Sequence, residues 1–317
     1  MKNLMLVSNK KIIEAVPDVA FVLKLMAKAG VEMEVVALPS ITVMMGGKDE
    51  KLWIDGEPRE WPELVMVGPM LDEALFYPLG AVLRMLENNG AVCVNGSRTL
   101  DITRDKLLTY QLAEAAVPDL PVVRTILVST NQTADELIAH LGLPMVLKIA
   151  HGSAGKGVTL VETREALEAE LKDYAAGKAG DELLAQEAIT TSRGRDLRMV
   201  VGDGEVLYSY VRVNDNGFRS NVHQGGRIEA FDPPASLVEQ TIRLAEMAGL
   251  KYGSVDYLFG KTPDDFILCE LNSMPGTAFL EKAEAEGGRD LLEKFFALPA
   301  RLLASRKKQQ QARAFTR

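Results

Sequence analysis

Asp256, Glu270 and Asn272 are the residues whose types and spacing most directly suggest chemistry. Residues 253–259, Gly-Ser-Val-Asp-Tyr-Leu-Phe, alternate like a strand with Asp256 on one face. Residues 266–272, Phe-Ile-Leu-Cys-Glu-Leu-Asn, read as a second strand, and Thr262-Pro263-Asp264-Asp265 is a turn-rich connection. Side chains along a strand alternate faces, so Glu270 and Asn272 point the same way, and a hairpin pairing brings Asp256 to them. Two carboxylates and an amide oxygen make a hard oxygen site suited to Mg2+ and to the phosphates that Mg2+ carries. The competing reading is an ordinary solvated strand face, where most Asp and Glu reside.

Other residues bear on that choice. His151-Gly152-Ser153-Ala154-Gly155-Lys156-Gly157 is glycine-rich, and glycine lets a backbone approach phosphate closely. It is not a P-loop: no Ser or Thr follows Lys156, and a strand rather than a helix comes next. It reads as a lid over a nucleotide or as a plain flexible hairpin. Lys148 ends an apolar strand, and Lys106 stands near a helix start where the helix dipole disfavours a cation. Both placements suit a polyphosphate, and both also suit a snorkelling surface lysine. Arg198, Arg212, Arg219 and Asn221 fall in one C-terminal region, and guanidinium groups fork onto phosphate or carboxylate. A positive cluster beside an acidic metal site is what phosphoryl transfer requires. His223 is a candidate base or a structural histidine among glycines.

The elements that must position these residues can be read in order. Strands over 4–7, 33–38, 64–67 and 91–94, with helices over 19–29 and 79–88, indicate an open parallel sheet. Such sheets bind ligands beyond the carboxyl ends of their strands, which makes Gly68-Pro69-Met70 and Asn95-Gly96-Ser97 candidate pocket edges. No G-x-G-x-x-G follows the first strand, and residues 41–60 read as a loop or small hairpin. A helix capped by Thr103 is expected to run to about Ala116. Strands over 122–128, 145–150, 158–161 and 182–187 and helices over 134–141 and 164–178 form one α+β block. Antiparallel strands over 196–201 and 206–213, a helix over 237–248 and a last helix over 291–303 follow. The basic tail after 303 reads as disordered.

The chain has 317 residues, long enough for two or three domains, with 47% hydrophobic and 25% charged residues. A net charge of -8 and pI of about 5.2 argue against nucleic-acid binding. Cys93 and Cys269 lie in apolar runs without metal-ligand spacing and read as buried thiols in a reducing compartment. No signal-peptide core or membrane-length apolar run occurs, so no membrane partner and a cytoplasmic location are expected.

The ordered set Arg104-Asp105-Lys106, Val146-Leu147-Lys148, the glycine loop, Gln186-Glu187, Gly194 to Arg198, Phe218-Arg219-Ser220-Asn221, Asp256 and Glu270 to Gly276 resembles the ATP-grasp superfamily. Within it the chain resembles the RimK-type amino-acid ligases, over nearly its whole length. The resemblance implies an α/β and α+β ATP-grasp fold with an N-terminal Rossmann-like pre-ATP-grasp domain. The implied divisions are 1–98 for that domain, 99–187 for the central subdomain with its lid, 188–303 for the subdomain with the metal site, and 304–317 for the tail. Lys106 and Lys148 would hold ATP phosphates under a lid containing Gly152, Ser153, Gly155 and Gly157. Glu187 and Ala188 would meet adenine at a hinge, and Asp196 the ribose. Arg219, Ser220 and Asn221 would lie over the phosphates and the acyl phosphate, with Arg198 helping Arg219 to position the substrate carboxylate. Asp256, Glu270 and Asn272 would bind two Mg2+ ions, Mn2+ being the alternative. The chain departs from the family at Ala188, where an aromatic is common, at Met274, where a smaller residue is common, and in a lid made basic by His151 and Lys156.

The implied reaction is ATP-dependent amide formation through an acyl phosphate, adding glutamate or a related amino acid to a carboxylate on a protein tail, a peptide or a cofactor precursor. Two alternatives stand beside it: an ATP-grasp ligase for small metabolites or D-amino acids, and a non-catalytic nucleotide-binding module. A homo-oligomer is also expected by the same resemblance.

Overall fold

The computed structural model describes residues 3–9, 11–12, 16–46, 50–70, 72–151, 157–177, 182–215, 217–218, 227–262, 264–276, 280, 291, 293–295, 297–298 and 300–304. Its first sheet is parallel, in the order β2-β1-β6-β7, from Met33–Ala37 (β2), Asn3–Val7 (β1), Leu64–Val67 (β6) and Val92–Val94 (β7). A parallel sheet is covered on both faces, which is why β1 is a run of buried residues rather than an alternation. Helices Pro17–Lys28 (α1) and Phe76–Asn88 (α2) connect its strands.

Residues 41–60 form a three-stranded antiparallel sheet, Ile41–Met44 (β3), Lys51–Ile54 (β4) and Glu57–Arg59 (β5), more regular than the expected loop or small hairpin. Its tight turn is Asp55-Gly56, both at positive φ (53° and 82°). That conformation matches the twist of two-residue hairpins and favours Asp-Gly.

The second large sheet has the order β10-β9-β11-β8: Val158–Val161, Met145–Ile149, Leu183–Glu187 and Thr125–Leu127, all pairing antiparallel. Ala134–Leu141 (α5) packs over it behind a capping box of Thr133 and Glu136, beside Arg164–Ala175 (α6). Between the sheets run Ser97–Arg104 (α3) and Lys106–Ala116 (α4). The third sheet is β14-β13-β12-β15-β16: Arg227–Ala230, Glu205–Val213, Arg195–Gly202, Tyr252–Phe259 and Phe266–Asn272. One face of it packs on α4 and on Ala235–Ala248 (α7), which ends at Gly249 in the left-handed region. The described residues between 291 and 304 are helical, and Phe295, Leu298 and Leu302 fill the core between the first and third sheets. Among the described residues no helix is long and apolar enough to cross a membrane.

The helix expected from Thr103 begins later. Thr103 lies inside α3, and Asp105, in an extended conformation, breaks the chain and caps α4 by accepting from Leu107 N and Leu108 N at 2.8 and 3.1 Å. A carboxylate satisfies the open N–H groups of a first turn better than a hydroxyl two residues upstream of it can. The basic tail from 305 onward lies outside the described residues.

Candidate active site

The expected hairpin forms, with Asp256 opposite Glu270 and Ser254 opposite Asn272. A bulge follows: Tyr257 pairs with Leu268, leaving Cys269 as the extra residue of β16. A bulge takes a residue out of the ladder and re-aims its neighbours. The Cys269 carbonyl accepts instead from the Tyr110 hydroxyl at 2.7 Å, which ties the hairpin to α4.

A row of charges crosses the same sheet, because its registers place opposite charges side by side. Arg198 pairs with Asp256 across β12 and β15, and Asp196 with Arg212 across β12 and β13. Arg198 forks onto Asp256 through Nε and Nη2 at 2.8 and 2.5 Å. Arg212 forks onto Asp196 and reaches Asp256 Oδ2 at 2.8 Å. All four residues are buried, so the row holds together only because each charge is matched. Burial alone would raise the Asp256 pKa, but Arg198 and Arg212 hold it down at about 2. Glu270 goes the other way: burial, and then the Asp256 charge beside it, raise its pKa. Two facing carboxyls, one of them resisting ionisation, are chemically suited to a divalent ion with oxygen ligands. Among the described residues no three His, Cys, Asp or Glu cluster as a metal site. The set that fits consists of two carboxylates and the Asn272 amide, whose Oδ1 also accepts from Met274 N at 3.0 Å.

Lys148 projects from β9 and Lys106 opens α4, and both are buried. Lys148 Nζ donates to the Tyr110 hydroxyl at 3.4 Å, which also accepts from Gln186 Nε2 at 3.1 Å. Lys106 Nζ donates to the Ala150 carbonyl at 3.2 Å, and burial followed by the Lys148 charge lowers its pKa. The Lys148 pKa is raised instead: burial would lower it, but Tyr110, Cys269 and Glu270 favour its charge, and two buried lysines so placed are chemically suited to a polyanion. A cleft of about 610 Å³ brings Lys106, Glu270 and Asn272 together with Arg104, Thr103 and His151. Gly157 stands at φ 64° where the loop re-enters β10, and a Cβ there would meet Ile149 Cγ1 at 3.1 Å.

The remaining sequence candidates divide. Glu187 ends β11 and pairs with Arg124 at 2.9 Å, while the Ala188 carbonyl accepts from Thr190 N at 3.0 Å. Asp196 is engaged by Arg212, and Arg198, expected at the substrate carboxylate, has its fork filled by Asp256. Gly152, Ser153, Gly155, Arg219, Ser220, Asn221 and His223 lie outside the described residues.

One residue was missed, Tyr110, and Asn95, expected only as a pocket edge, has a structural role that was not read. Tyr110 joins Lys148, Gln186 and the bulge, and its only sequence signal is a hydroxyl one helical turn after Lys106. Asn95 is buried after β7, with Nδ2 donating to the carbonyls of Tyr252 and Ser273 at 2.5 and 2.8 Å. Its Oδ1 accepts from the backbone N–H groups of Lys251 and Tyr252 at 2.9 and 3.2 Å. A polar residue closing an apolar strand was its signal.

Comparison with known proteins bears on the fold and the family. The profile of the RimK-like ATP-grasp domain matches residues 103–295. The chain is 30% identical over 292 residues to a probable alpha-L-glutamate ligase of Cellvibrio japonicus (strain Ueda107), covering 92% of this chain and 90% of that protein. Among solved structures it resembles the ATP-grasp ligase PsnB complexed with minimal precursor, Mg and ADP. The TM-score is 0.64 and the identity 21%, over 88% of this chain and 92% of that one. It also resembles a D-alanine–D-alanine ligase of Bacillus anthracis, with a TM-score of 0.65 at 15% identity, over 98% and 100% of the two chains. At these identities the structural likeness speaks for the fold.

Proposed function

Because the chain belongs to the RimK-like ATP-grasp family and is an ATP-dependent carbon–nitrogen ligase, we propose that it joins glutamate to a carboxylate acceptor through an acyl phosphate. The observation that carries this reading is the meeting of Lys106 with Glu270 and Asn272 in one cleft, with Asp256 facing Glu270 across the hairpin and the buried Lys148 joined to that hairpin through Tyr110. The name of the Cellvibrio relative supports glutamate, and the Mg and ADP bound to PsnB support the nucleotide and the ion.

In this reading an acceptor carboxylate oxygen attacks the γ-phosphorus of ATP and ADP departs. The amine of glutamate then attacks the acyl carbon, phosphate leaves, and the amine gives up a proton as the amide forms. Lys106 and Lys148 offset phosphate charge, Lys148 held in place by Tyr110 and Gln186. Asp256, Glu270 and Asn272 would hold Mg2+, two ions being expected, which when bound neutralises charge on the β- and γ-phosphates. Arg198 and Arg212 act on Asp256, keeping it ionised and fixed beside Glu270. Adenine meets the backbone at Glu187 and Ala188, with Asp196 toward the ribose. Arg219, Ser220 and Asn221 enter this reading through the family resemblance. No protein nucleophile is needed.

The test is Mg2+-dependent ADP release across a panel of amino acids and carboxylate acceptors. ADP that requires glutamate and an acceptor together supports the reading. ADP release that ignores both, or a distinct preference for D-amino acids, overturns it.

A further inference from the structure

A second cavity, of about 690 Å³ with its mouth, lies at the carboxyl ends of β6 and β7 beside Met5 of β1. Its wall includes Val19 and Val22 of α1, Met66 and Val67 of β6, Val94 of β7, and Phe295. Among the described residues lining it there is no charged side chain. It adjoins the polar cleft: Ser273 and Met274 line both. Ser273 is fixed there by Asn95 at its carbonyl and by Thr103 at its hydroxyl, at 2.8 and 2.9 Å. The two cavities therefore keep a constant relation, with ionic groups on one side of Met274 and an apolar chamber on the other.

We propose that this chamber receives the apolar side chain beside the acceptor's reacting carboxylate, so that the enzyme selects acceptors ending in an aliphatic or aromatic residue and adds a single glutamate. The inference rests on the ligase reading above. A carboxylate held at Lys106 has the apolar chamber across Met274, within reach of its neighbouring substituent, and apolar groups gain by leaving water for such a wall. Among the described lining residues an acidic side chain would meet no cation, a costly desolvation. Once glutamate has been added, the product ends in that side chain, so the product is a poor acceptor. Glutamate itself is then expected in the polar cleft, where Arg104 and His151 are.

The experiment uses the full chain with Mg2+, ATP, glutamate and N-acetyl-glycyl dipeptides ending in Leu, Phe, Ala, Ser or Glu, with N-acetyl-leucine as the single-residue arm. ADP release gives kcat/KM, and mass spectrometry counts the glutamyl residues added. Expected are a roughly tenfold or greater fall from the Leu-ended to the Ala-ended acceptor, a larger fall to the Glu-ended one, and one glutamyl residue per product. Activity on N-acetyl-leucine equal to that on the dipeptide assigns a free acid as the natural source, and a loss there assigns a peptide end. Equal use of Leu- and Glu-ended acceptors, or a ladder of glutamyl products, overturns the proposal and leaves the ligase reading intact. Binding of the same dipeptides to the protein loaded with Mg2+ and a non-hydrolysable ATP analogue is read by calorimetry in parallel. Selective binding of the Leu-ended peptide without turnover supports the chamber and overturns the ligase reading, and equal or absent binding overturns the chamber. In Val22→Lys, with Val22→Thr as the milder second variant, the preference shifts toward the Glu-ended acceptor by roughly tenfold. An unchanged preference in both variants overturns the assignment.

Discussion

Asp256 and Glu270 are neighbours of the same chemical type, yet neutralising them should change stability in opposite directions. The Asp256 carboxyl is held from its ordinary value of 3.8 down to about 2. At about 1.4 kcal/mol per tenfold change in proton affinity, that corresponds to roughly 2 kcal/mol of folding stability. The sign is that of a depressed acid: the contribution is present above pH 3.8 and is lost as pH falls through about 2. Asp256→Asn also leaves Arg198 with no carboxylate and Arg212 with Asp196 alone, and breaking a buried pair costs about 3–5 kcal/mol. A loss of about 2–5 kcal/mol is therefore expected. The Glu270 pKa is raised, so its ionised form opposes folding as pH climbs past the ordinary glutamate value of 4.5. Glu270→Gln should be neutral or stabilising at pH 8, as is usual when strain is relieved at a functional site. That advantage should shrink toward pH 4.5. Urea unfolding in EDTA at the two pH values measures both variants, and Mg2+-dependent ADP release should vanish in each. A Glu270→Gln protein destabilised at pH 8 as much as Asp256→Asn would refute the asymmetry.

Other consequences can be checked in the same preparations. Tyr110→Phe removes the hydroxyl shared by Lys148, Gln186 and the Cys269 carbonyl. It should cost about 1–3 kcal/mol in urea unfolding and raise the KM for ATP, and an unchanged KM would detach Tyr110 from the phosphate site. Asn95→Leu abandons four hydrogen-bond partners at once, so a loss of about 3 kcal/mol or more is expected by the same measurement. Burial pushes the thiols of Cys93 and Cys269 up to about 12. Both should resist a thiol-exchange reagent at pH 8 until the protein is unfolded, and rapid labelling of the native state would contradict their placement. The lowered pKa of Lys106 means that it loses its proton before an ordinary lysine as pH rises. Affinity for Mg-ATP should weaken at an alkaline pH below 10.5, and Lys106→Arg should flatten that limb of the binding profile.

Legibility in the sequence followed the range of the interactions involved. The strands around Asp256 and Glu270 could be read because alternation is local, and their pairing followed from a short turn. The Asp55-Gly56 turn was equally local and should have turned the expected loop at 41–60 into strands. The misplaced start of α4 came from weighing the hydroxyl of Thr103 above the carboxylate of Asp105, two candidate caps two residues apart. What local pattern could not supply was partnership. The charge of Arg198 is visible in the sequence, but its commitment to Asp256 depends on the register of β12 against β15, fifty-eight residues apart. Tyr110 and Asn95 have no periodic signature at all. Their importance lies in which carbonyls they reach, and those carbonyls belong to strands far along the chain.

The hairpin that carries Asp256 and Glu270 is thus held from three directions, each by a different kind of contact. From the third sheet come the buried forks of Arg198 and Arg212, which set the ionisation of Asp256. From α4 comes the Tyr110 hydroxyl, which takes the carbonyl released by the bulge and passes the contact on to Lys148 in the second sheet. From the end of the first sheet comes Asn95, which fixes the backbone at Tyr252 and Ser273, at both ends of the segment that carries the acids. A hairpin held by the charge row alone could slide along its neighbour with each carboxylate still matched by an arginine. The neutral contacts of Tyr110 and Asn95 remove that freedom, since each is directed at one carbonyl and breaks with a displacement of about an ångström. Charge therefore decides what the site attracts, and the uncharged hydrogen bonds decide where it sits relative to Lys148 and to the chamber behind Met274.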